Sequence, residues 1–207
     1  INAIIKKEQI MLDYEGRYSG KVIAGIDEAG RGPLAGPVVC ACVIMPLGSD
    51  EIIDGINDSK KLSEKKREEL YDKIIEKSLS YSIAVVDQKT IDQINILNAT
   101  KLGMKRALES LEITPDIVLI DAVKIDTALP QENIIKGDEK SYNIASASIL
   151  AKVYRDRLMK DLSLKYPQYN FAKHKGYGTK EHIEKLKLYG KCELHRESFI
   201  KNFINKN

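Results

Sequence analysis

Four acidic residues stand where predicted β-strands end: Asp27 and Glu28 follow one apolar run, Asp121 follows another, and Asp138 follows a third. Strands of an α/β sheet present their carboxyl ends at one edge, so we expect these side chains to converge. Converging carboxylates repel one another and must take up protons or hold a cation. Oxygen ligands of this kind suit Mg²⁺ or Mn²⁺. Two such ions about 4 Å apart can activate a water and stabilise the leaving oxygen in phosphodiester hydrolysis.

The alternative interpretation is that each acid only begins a turn or caps a helix, as strand-end aspartates often do. For any one of them alone, that interpretation is the better one. The charge distribution bears on the choice, because residues Ala151 to Asn207 carry 14 Lys and Arg against 6 Asp and Glu. Such a segment is either a solvated lysine-rich surface or the contact for a polyanion. Beside a set of carboxylates, the polyanion interpretation is favoured.

The loop Gly30-Arg31-Gly32 directly follows the first acidic pair. Glycines let backbone groups approach a ligand closely, because no Cβ stands in the way. A dinucleotide-binding loop has a different glycine spacing and leads into a helix, whereas here prolines interrupt the loop and a strand follows. By itself, the loop predicts only a close approach of backbone to ligand.

Two further segments are suited to phosphate and base contacts. Lys175-Gly176-Tyr177-Gly178 places an aromatic ring between glycines, just before a helix that Thr179 caps. Helix N-termini bind phosphate, and tyrosine rings stack on sugars or bases. Ser59-Lys60-Lys61 gathers positive charge at another helix entrance, where lysines tune affinity and its salt dependence.

The elements that would position these residues alternate between strand and helix after an opening pair of strands. The first two, Lys21–Ile26 and Val38–Met45, are joined by a connection too short for a crossover helix, so we expect an antiparallel hairpin. Three elements are predicted next: a helix from Ser63 to Lys77, a strand from Tyr81 to Val86, and a helix that begins with a Thr90–Gln93 capping box and runs towards Leu111. Two short strands follow, Ile117–Ile120 and Ile134-Ile135, and the second of them ends at Gly137-Asp138. The last two predicted elements are helices, from Tyr142 to Leu162 and from Thr179 to Leu188. This order predicts an α/β domain with a mixed sheet.

Composition excludes several classes of protein. The chain has 207 residues, 43% of them hydrophobic and 30% charged, which is typical of a globular domain and not of a disordered chain. Its longest stretch without a charge, residues 32–49, contains three prolines, so no membrane helix is expected. Three cysteines cannot all pair internally, and we expect Cys40 and Cys42 to be reduced and buried in a cytoplasmic protein.

Three histidines carry no evident chemistry. They are scattered along the chain at His174, His182 and His195. None stands at a spacing typical of zinc ligands, so we do not expect any of them to hold a metal.

Together these motifs resemble bacterial ribonuclease HII, of the type 2 ribonuclease H family. The matching segments occur in order along most of the chain: Ala24–Val39, Asp58–Ser63, Leu119–Asp121, Lys136–Asp138 with Ser141, Ile144–Asp156 and His174–Thr179. Gly190–Leu194 departs from the family pattern, which concerns contacts of the C-terminal segment and not the chemistry.

The resemblance implies an α/β ribonuclease H-like fold with a mixed five-stranded sheet flanked by helices. It implies that residues 21–162 form the catalytic domain, preceded by the N-terminal segment 1–20 of a truncated chain and followed by a helical extension, 163–207, that contributes to substrate binding. The implied activity is metal-dependent endonucleolytic hydrolysis of the RNA strand of RNA–DNA hybrids. Incision 5′ of single ribonucleotides in duplex DNA is included and leaves 3′-hydroxyl and 5′-phosphate ends.

The resemblance also implies which residues act. Asp27, Glu28, Asp121 and Asp138 fall on the catalytic carboxylates that bind two Mg²⁺ or Mn²⁺ ions. The Gly30-Arg31-Gly32 loop falls on the backbone sensor of the ribose 2′-hydroxyl, and Tyr177 on the ring that stacks on the deoxyribose beyond the junction. Further implied substrate contacts are Ser59, Lys60, Lys61, Ser141, Ser148 and Lys175.

The expected partners are an RNA–DNA hybrid and ribonucleotide-containing duplex DNA, bound by a monomer that contacts no membrane. Residues Ser198–Asn207 lack the glutamine and paired aromatics of a sliding-clamp peptide, so no clamp binding is expected. Two alternatives stay open: a catalytically silent hybrid-binding module, and a ribonuclease HIII-like enzyme that needs longer RNA stretches. The first requires a missing carboxylate, and the Gly30-Arg31-Gly32 loop and Tyr177 argue against the second.

Overall fold

The structure is a computed structural model that describes residues 11, 12 and 14–204. Half of the predicted N-terminal segment, residues 1–10, lies outside the described residues, and so do residue 13 and the last three residues, 205–207, of the segment in which no clamp-binding peptide is expected. In the part of the chain that is described, no helix is long and apolar enough to cross a membrane.

Five strands form one mixed sheet in the order β3-β2-β1-β4-β5. They are β1 (Ile23–Ala29), β2 (Val38–Ile44), β3 (Ser80–Val86), β4 (Ile117–Asp121) and β5 (Gln131–Ile134). The first three pair antiparallel, and β4 and β5 join in parallel on the other side of β1. The predicted hairpin and the predicted ribonuclease H-like fold class are both confirmed.

Helices cover both faces of this sheet. They are α1 (Glu64–Lys77), α2 (Gln88–Glu109), α3 (Tyr142–Lys165), α4 (Phe171–His174), α5 (Lys180–Tyr189) and α6 (Glu197–Ile204). Alternate residues of β2 pack on the two sides, Val39 and Val43 in one apolar cluster with α1 and α3, and Cys40 and Cys42 in another with α2. Both cysteines are free and buried, as predicted.

Helix α3 lies closest to the sheet because Gly25 of β1 has no side chain. A Cβ placed on Gly25 would lie 2.2 Å from the carbonyl carbon of Asn143. The start of α3 therefore rests directly on β1, two residues before Asp27.

Most helix starts follow the predicted caps. The hydroxyl of Ser63 accepts from the amide of Lys66, and that of Thr179 from the amide of His182. The predicted Thr90–Gln93 capping box is wrong. Asp87 is the N-cap of α2, since its carboxylate accepts from the Thr90 amide at 2.7 Å, and Thr90 lies within the first turn.

Two other expectations near the ends of elements are corrected. Asp138 does not end a strand: β5 stops at Ile134, Lys136 is left-handed with φ 58°, and Asp138 lies in the 3₁₀ turn Gly137–Glu139. A left-handed residue turns the chain out of the extended conformation, so the strand cannot continue to Asp138. The helix begun by Thr179 is not the last, because α6 follows it. Residue 162 lies inside α3, and the domain boundary expected after it stays a prediction.

Candidate active site

The parallel register of β1 and β4 places two carboxylates next to each other. Ile26 pairs with Ile120, so the following residues, Asp27 and Asp121, occupy neighbouring positions at the same edge of the sheet. The Oδ1 atom of Asp121 accepts a hydrogen bond from the amide of Gly137 at 2.8 Å. This bond holds the turn that carries Asp138 beside the end of β4. Three of the four predicted acids thus come from three adjacent segments.

Burial and mutual repulsion dominate the electrostatics of these acids. Asp27 is 4% exposed. Burial first, then the charges of Glu28 and Asp121, raise the pKa of Asp27 well above its usual range. Burial likewise raises the pKa of Glu28 and of Asp138. Because ionising these carboxylates is unfavourable when they are buried together, the site favours the binding of positive charge.

Two basic side chains supply part of that charge. Arg31 Nη1 lies 3.4 Å from Glu28 Oε1, and Lys60 Nζ lies 3.5 Å from Asp138 Oδ2. The other oxygen of Glu28, Oε2, is buried without a hydrogen-bond partner. An orphaned buried carboxylate oxygen in an all-oxygen donor set fits a hard divalent cation. In the described residues, no three acidic, histidine or cysteine side chains are already arranged around one point for a metal ion.

A fifth carboxylate, Asp58, adjoins the site and is not among the acids predicted from sequence. Asp58 is 6% exposed, and its Oδ1 accepts from the amide of Lys60 at 2.9 Å. After burial, the charge of Asp58 is the next cause of the raised pKa of Asp138. The signal was present, because an aspartate one residue before Ser59 is a typical turn cap. It was treated as part of a basic segment instead.

The glycine loop and the tyrosine segment lie side by side. A Cβ placed on Gly32 would lie 3.8 Å from Cε1 of Tyr177, although 145 residues separate the two along the chain. Arg31 and Gly32 are exposed, whereas Gly30 is buried behind them. The Tyr177 ring is 44% exposed. Backbone and aromatic ring therefore present one continuous surface, and Arg31 links it to the acids through Glu28.

The three lysines predicted to contact the substrate differ in how exposed their side chains are. The side chains of Lys60 and Lys61 are 78% and 46% exposed, and Lys61 also pairs with Glu139 at 2.9 Å. Lys175 is half-buried, and its ammonium donates to the carbonyl of Ala172. Lys60 and Lys61 can reach a phosphate from the carboxylate side.

The three predicted serine contacts are buried and bonded inside the protein. Ser141 is fully buried, where it caps α3 through the Ile144 amide and donates to Glu15 Oε1 at 2.6 Å. The Ser148 hydroxyl donates to that of Ser59 at 2.7 Å, and both residues are 3% exposed. In these positions the serines hold α3 against its neighbours, and their contact with a substrate stays a prediction.

The histidines, scattered in sequence, come together in space. His182 Nε2 lies 3.1 Å from His195 Nε2, and the rings of His174 and His182 stack with centroids 4.5 Å apart. Burial lowers the pKa of each, and that of His195 falls to about 4. This histidine cluster (His174, His182 and His195) is a neutral part of the interior of the C-terminal segment.

Comparison with known proteins agrees with this geometry. The family model "Ribonuclease HII" matches residues 24–202. Ribonuclease HII of Caldicellulosiruptor saccharolyticus is 60% identical over 185 residues, which is 89% of each chain. The crystal structure of ribonuclease H2 from Pyrococcus horikoshii superposes with a TM-score of 0.73 at 28% identity, over 89% of this chain and 99% of that one. The ribonuclease HII in the PCNA:RNase HII complex of Archaeoglobus fulgidus also gives 0.73 and 28%, over 89% and 98%.

Proposed function

Because the chain belongs to the ribonuclease HII family and is therefore an endonuclease acting on RNA–DNA hybrids, we propose that it also incises duplex DNA on the 5′ side of a single embedded ribonucleotide. The cut leaves a 3′-hydroxyl and a 5′-phosphate. The observation that carries this proposal is the contact between Gly32 and Tyr177 beside the acids at the edge of the sheet.

The carboxylates of Asp27, Glu28, Asp121 and Asp138 would hold two divalent cations, Mg²⁺ or Mn²⁺. When bound, the cations activate the attacking water and stabilise the leaving 3′-oxygen. The chain itself prepares for them by keeping Asp27 buried among like charges, so that cations are the favoured counter-charge. The Gly137 amide holds Asp121 in place by its 2.8 Å hydrogen bond.

Substrate selection rests on the glycine loop and the tyrosine. The 2′-hydroxyl is the group that distinguishes a ribonucleotide from its DNA neighbours. The backbone of the Gly30-Arg31-Gly32 loop can come against that hydroxyl, because no side chain stands in the way at the exposed Gly32. Tyr177, half-exposed next to Gly32, is placed to stack on the next sugar and to disfavour a uniform all-RNA or all-DNA duplex.

The basic side chains bind the phosphate backbone around this centre. Arg31, Lys60 and Lys61 lie on the carboxylate side, and Lys175 precedes the tyrosine. We propose the extension, residues 163–207, as a second binding surface, since the basic excess of the chain lies there. Activity at sub-saturating substrate then falls steeply with salt, as counterion release requires.

The test uses a labelled DNA duplex that contains one ribonucleotide, incubated with Mg²⁺ or Mn²⁺ next to an all-DNA duplex and an RNA–DNA hybrid. One nick 5′ of the ribonucleotide, lost with EDTA and absent from the all-DNA duplex, is the expected result. Cutting of the hybrid alone would refute single-ribonucleotide incision and would leave the hybrid activity standing.

A further inference from the structure

Two arginines are buried completely next to the glycine loop. Arg155 of α3 is 1% exposed, and Arg196, which immediately precedes α6, is 0% exposed. Removing a guanidinium from water costs several kcal/mol unless its donors are satisfied. Within the described residues neither arginine forms an ion pair with a carboxylate, so charge pairing does not explain their burial.

Arg196 instead donates to three carbonyl oxygens of one loop. Its Nε bonds to Gly36 at 2.9 Å, its Nη1 to Arg31 at 2.9 Å, and its Nη2 to Gly30 at 2.6 Å. Two of these three acceptors belong to the Gly30-Arg31-Gly32 loop. A residue of the C-terminal segment thus holds the backbone that the proposed function assigns to ribose recognition.

Arg155 bonds to the other end of the connection between β1 and β2, after the Gly30-Arg31-Gly32 loop, and joins that end to the tyrosine segment. Its Nε bonds to the carbonyl of Pro37 at 2.9 Å and its Nη2 to that of Ala35 at 3.2 Å. Its Nη1 bonds to the carbonyl of Lys175 at 3.0 Å, two residues before Tyr177. The guanidinium carbon lies 6.0 Å from the centroid of the Tyr177 ring. One side chain therefore links the loop to the segment that carries the tyrosine.

The loop is shaped to admit these guanidinium groups. Gly30 has φ +98°, and a Cβ placed on it would lie 2.1 Å from Nε of Arg155. Gly36 has φ +87°, and a Cβ placed on it would lie 2.4 Å from Sδ of Met159, with Nη2 of Arg155 farther away at 3.4 Å. Any side chain at Gly30 would thus displace Arg155. Gly30 therefore leaves room for Arg155, whose guanidinium lies between the loop and the segment that carries Tyr177.

We propose that Arg155 and Arg196 form an arginine clamp that sets the distance between the Gly30-Arg31-Gly32 loop and Tyr177, and thereby the preference for a single ribonucleotide over a uniform hybrid. Both are positioning residues, because each acts through backbone carbonyls. The effect on substrate preference rests on the proposed function, whereas the claim that the two arginines hold the loop in place does not. Lysine keeps the charge but not the fork of donors, so it cannot replace either arginine.

The variants are Arg196→Lys and Arg155→Lys, with Arg157→Lys as the matched control, since Arg157 lies two residues along α3 and pairs with Glu68 on the surface. For each, kcat and KM are measured on the single-ribonucleotide duplex and on a uniform RNA–DNA hybrid. We expect the ratio of the two kcat/KM values to fall about tenfold in both clamp variants, the effect of losing about 1.4 kcal/mol of oriented hydrogen bonding. The kcat on the hybrid stays within about threefold, and Arg157→Lys changes neither. A parallel loss on both substrates, or an unchanged ratio, overturns the proposal.

Amide hydrogen exchange tests the clamp independently of substrate preference. The Leu34 amide donates to Gly176 and the Gly36 amide to Leu194, each at 2.8 Å. In the wild-type protein these amides are expected to exchange as slowly as those of β2, and faster in either clamp variant. Exchange at the rate of an exposed loop in the wild type would overturn the clamp even if no variant folds. A further outcome is that the wild type fails to cut the single-ribonucleotide duplex while its loop amides exchange slowly. In that case single-ribonucleotide incision is refuted, and so is the effect of the arginines on substrate preference. The proposal that the two arginines hold the loop in place is then still supported.

Discussion

The amide of Gly137 donates to Oδ1 of Asp121 at 2.8 Å, and this one bond joins the turn carrying Asp138 to the end of β4. The bond is possible because Gly137 has no side chain: a Cβ there would lie 2.6 Å from Cδ1 of Ile144. Strand pairing places Asp27 beside Asp121, whereas Asp138 is held near them by the separate hydrogen bond from Gly137. The acidic centre thus depends on a turn as much as on the sheet.

Asp121→Asn and Asp138→Asn should each lower kcat on an RNA–DNA hybrid by about 10³-fold or more, because each removes several kcal/mol of cation binding. Binding of the hybrid, measured by anisotropy, should persist. Asp126→Asn is the control, since the Asp126 side chain is 95% exposed and pairs with Lys105. Lost binding with unchanged residual turnover would contradict the assignment of these acids.

Asp27→Asn should stabilise the metal-free protein. The folded-state pKa of Asp27 is raised by burial and by Glu28 and Asp121, so the folded protein holds the proton more tightly than the unfolded chain. The free energy of unfolding therefore decreases as pH rises from about 4 through that raised pKa. Asp27→Asn has no ionisable group at this position, so its stability does not decrease for this reason. In EDTA the variant's Tm should exceed that of wild type at pH 7.5 and approach it at pH 5. Mg²⁺ or Mn²⁺ should raise the Tm of the wild type only. A variant less stable than wild type in EDTA at pH 7.5 would argue against repulsion at this position.

Gly30→Ala should destabilise the protein by about 3 kcal/mol or more, since it combines a left-handed backbone with a collision against Arg155. Gly20→Ala isolates the backbone part, because Gly20 has φ +80° and nothing within 4 Å of its Cβ position. That control should cost about 1 kcal/mol. Urea unfolding of both variants gives the comparison. Equal losses would show that the loop can move away from the arginine freely.

Tyr177→Ala should reduce kcat/KM on the single-ribonucleotide duplex by about 10- to 100-fold, the value of one stacked ring. Tyr177→Phe keeps the ring and should stay within about threefold. Tyr81→Ala serves as the control, because Tyr81 is 40% exposed on β3, the edge strand of the sheet. A phenylalanine variant as impaired as the alanine variant would mean that the hydroxyl, not the stacking face, carries the role.

The histidine cluster should make stability depend on pH. His195 is 3% exposed, and its folded-state pKa is about 4, against about 6.5 when unfolded. Its contribution is fully present above pH 6.5 and is lost as pH falls towards 4, on the order of 3 kcal/mol. Urea unfolding at pH 5 and pH 7.5 should give a smaller difference for His195→Gln than for wild type. The same difference in both proteins would place the acid sensitivity elsewhere.

Features that depend on neighbours in the chain were predictable from sequence. Strand periodicity placed Asp27 and Asp121 at strand ends, and local capping chemistry located the starts of α1 and α5 at Ser63 and Thr179. Parallel register then makes the pairing of Asp27 with Asp121 a consequence of two short apolar runs. The prediction that Asp138 ends a strand is wrong, because a left-handed Lys136 cannot be recognised from its residue type.

Features that join distant segments were decided by tertiary structure alone. Arg196 bonds to Gly30 across 166 residues, and three histidines that were scattered in sequence share one buried cluster. Such contacts cannot be predicted from periodicity or spacing, because a guanidinium can donate to any carbonyl oxygen that the fold brings within hydrogen-bond distance. The sequence by itself determined which carboxylates are available at the ends of β1 and β4, because that depends only on residue type and strand position. How firmly the glycine loop is held against Tyr177 depends on long-range packing, which only the folded chain creates.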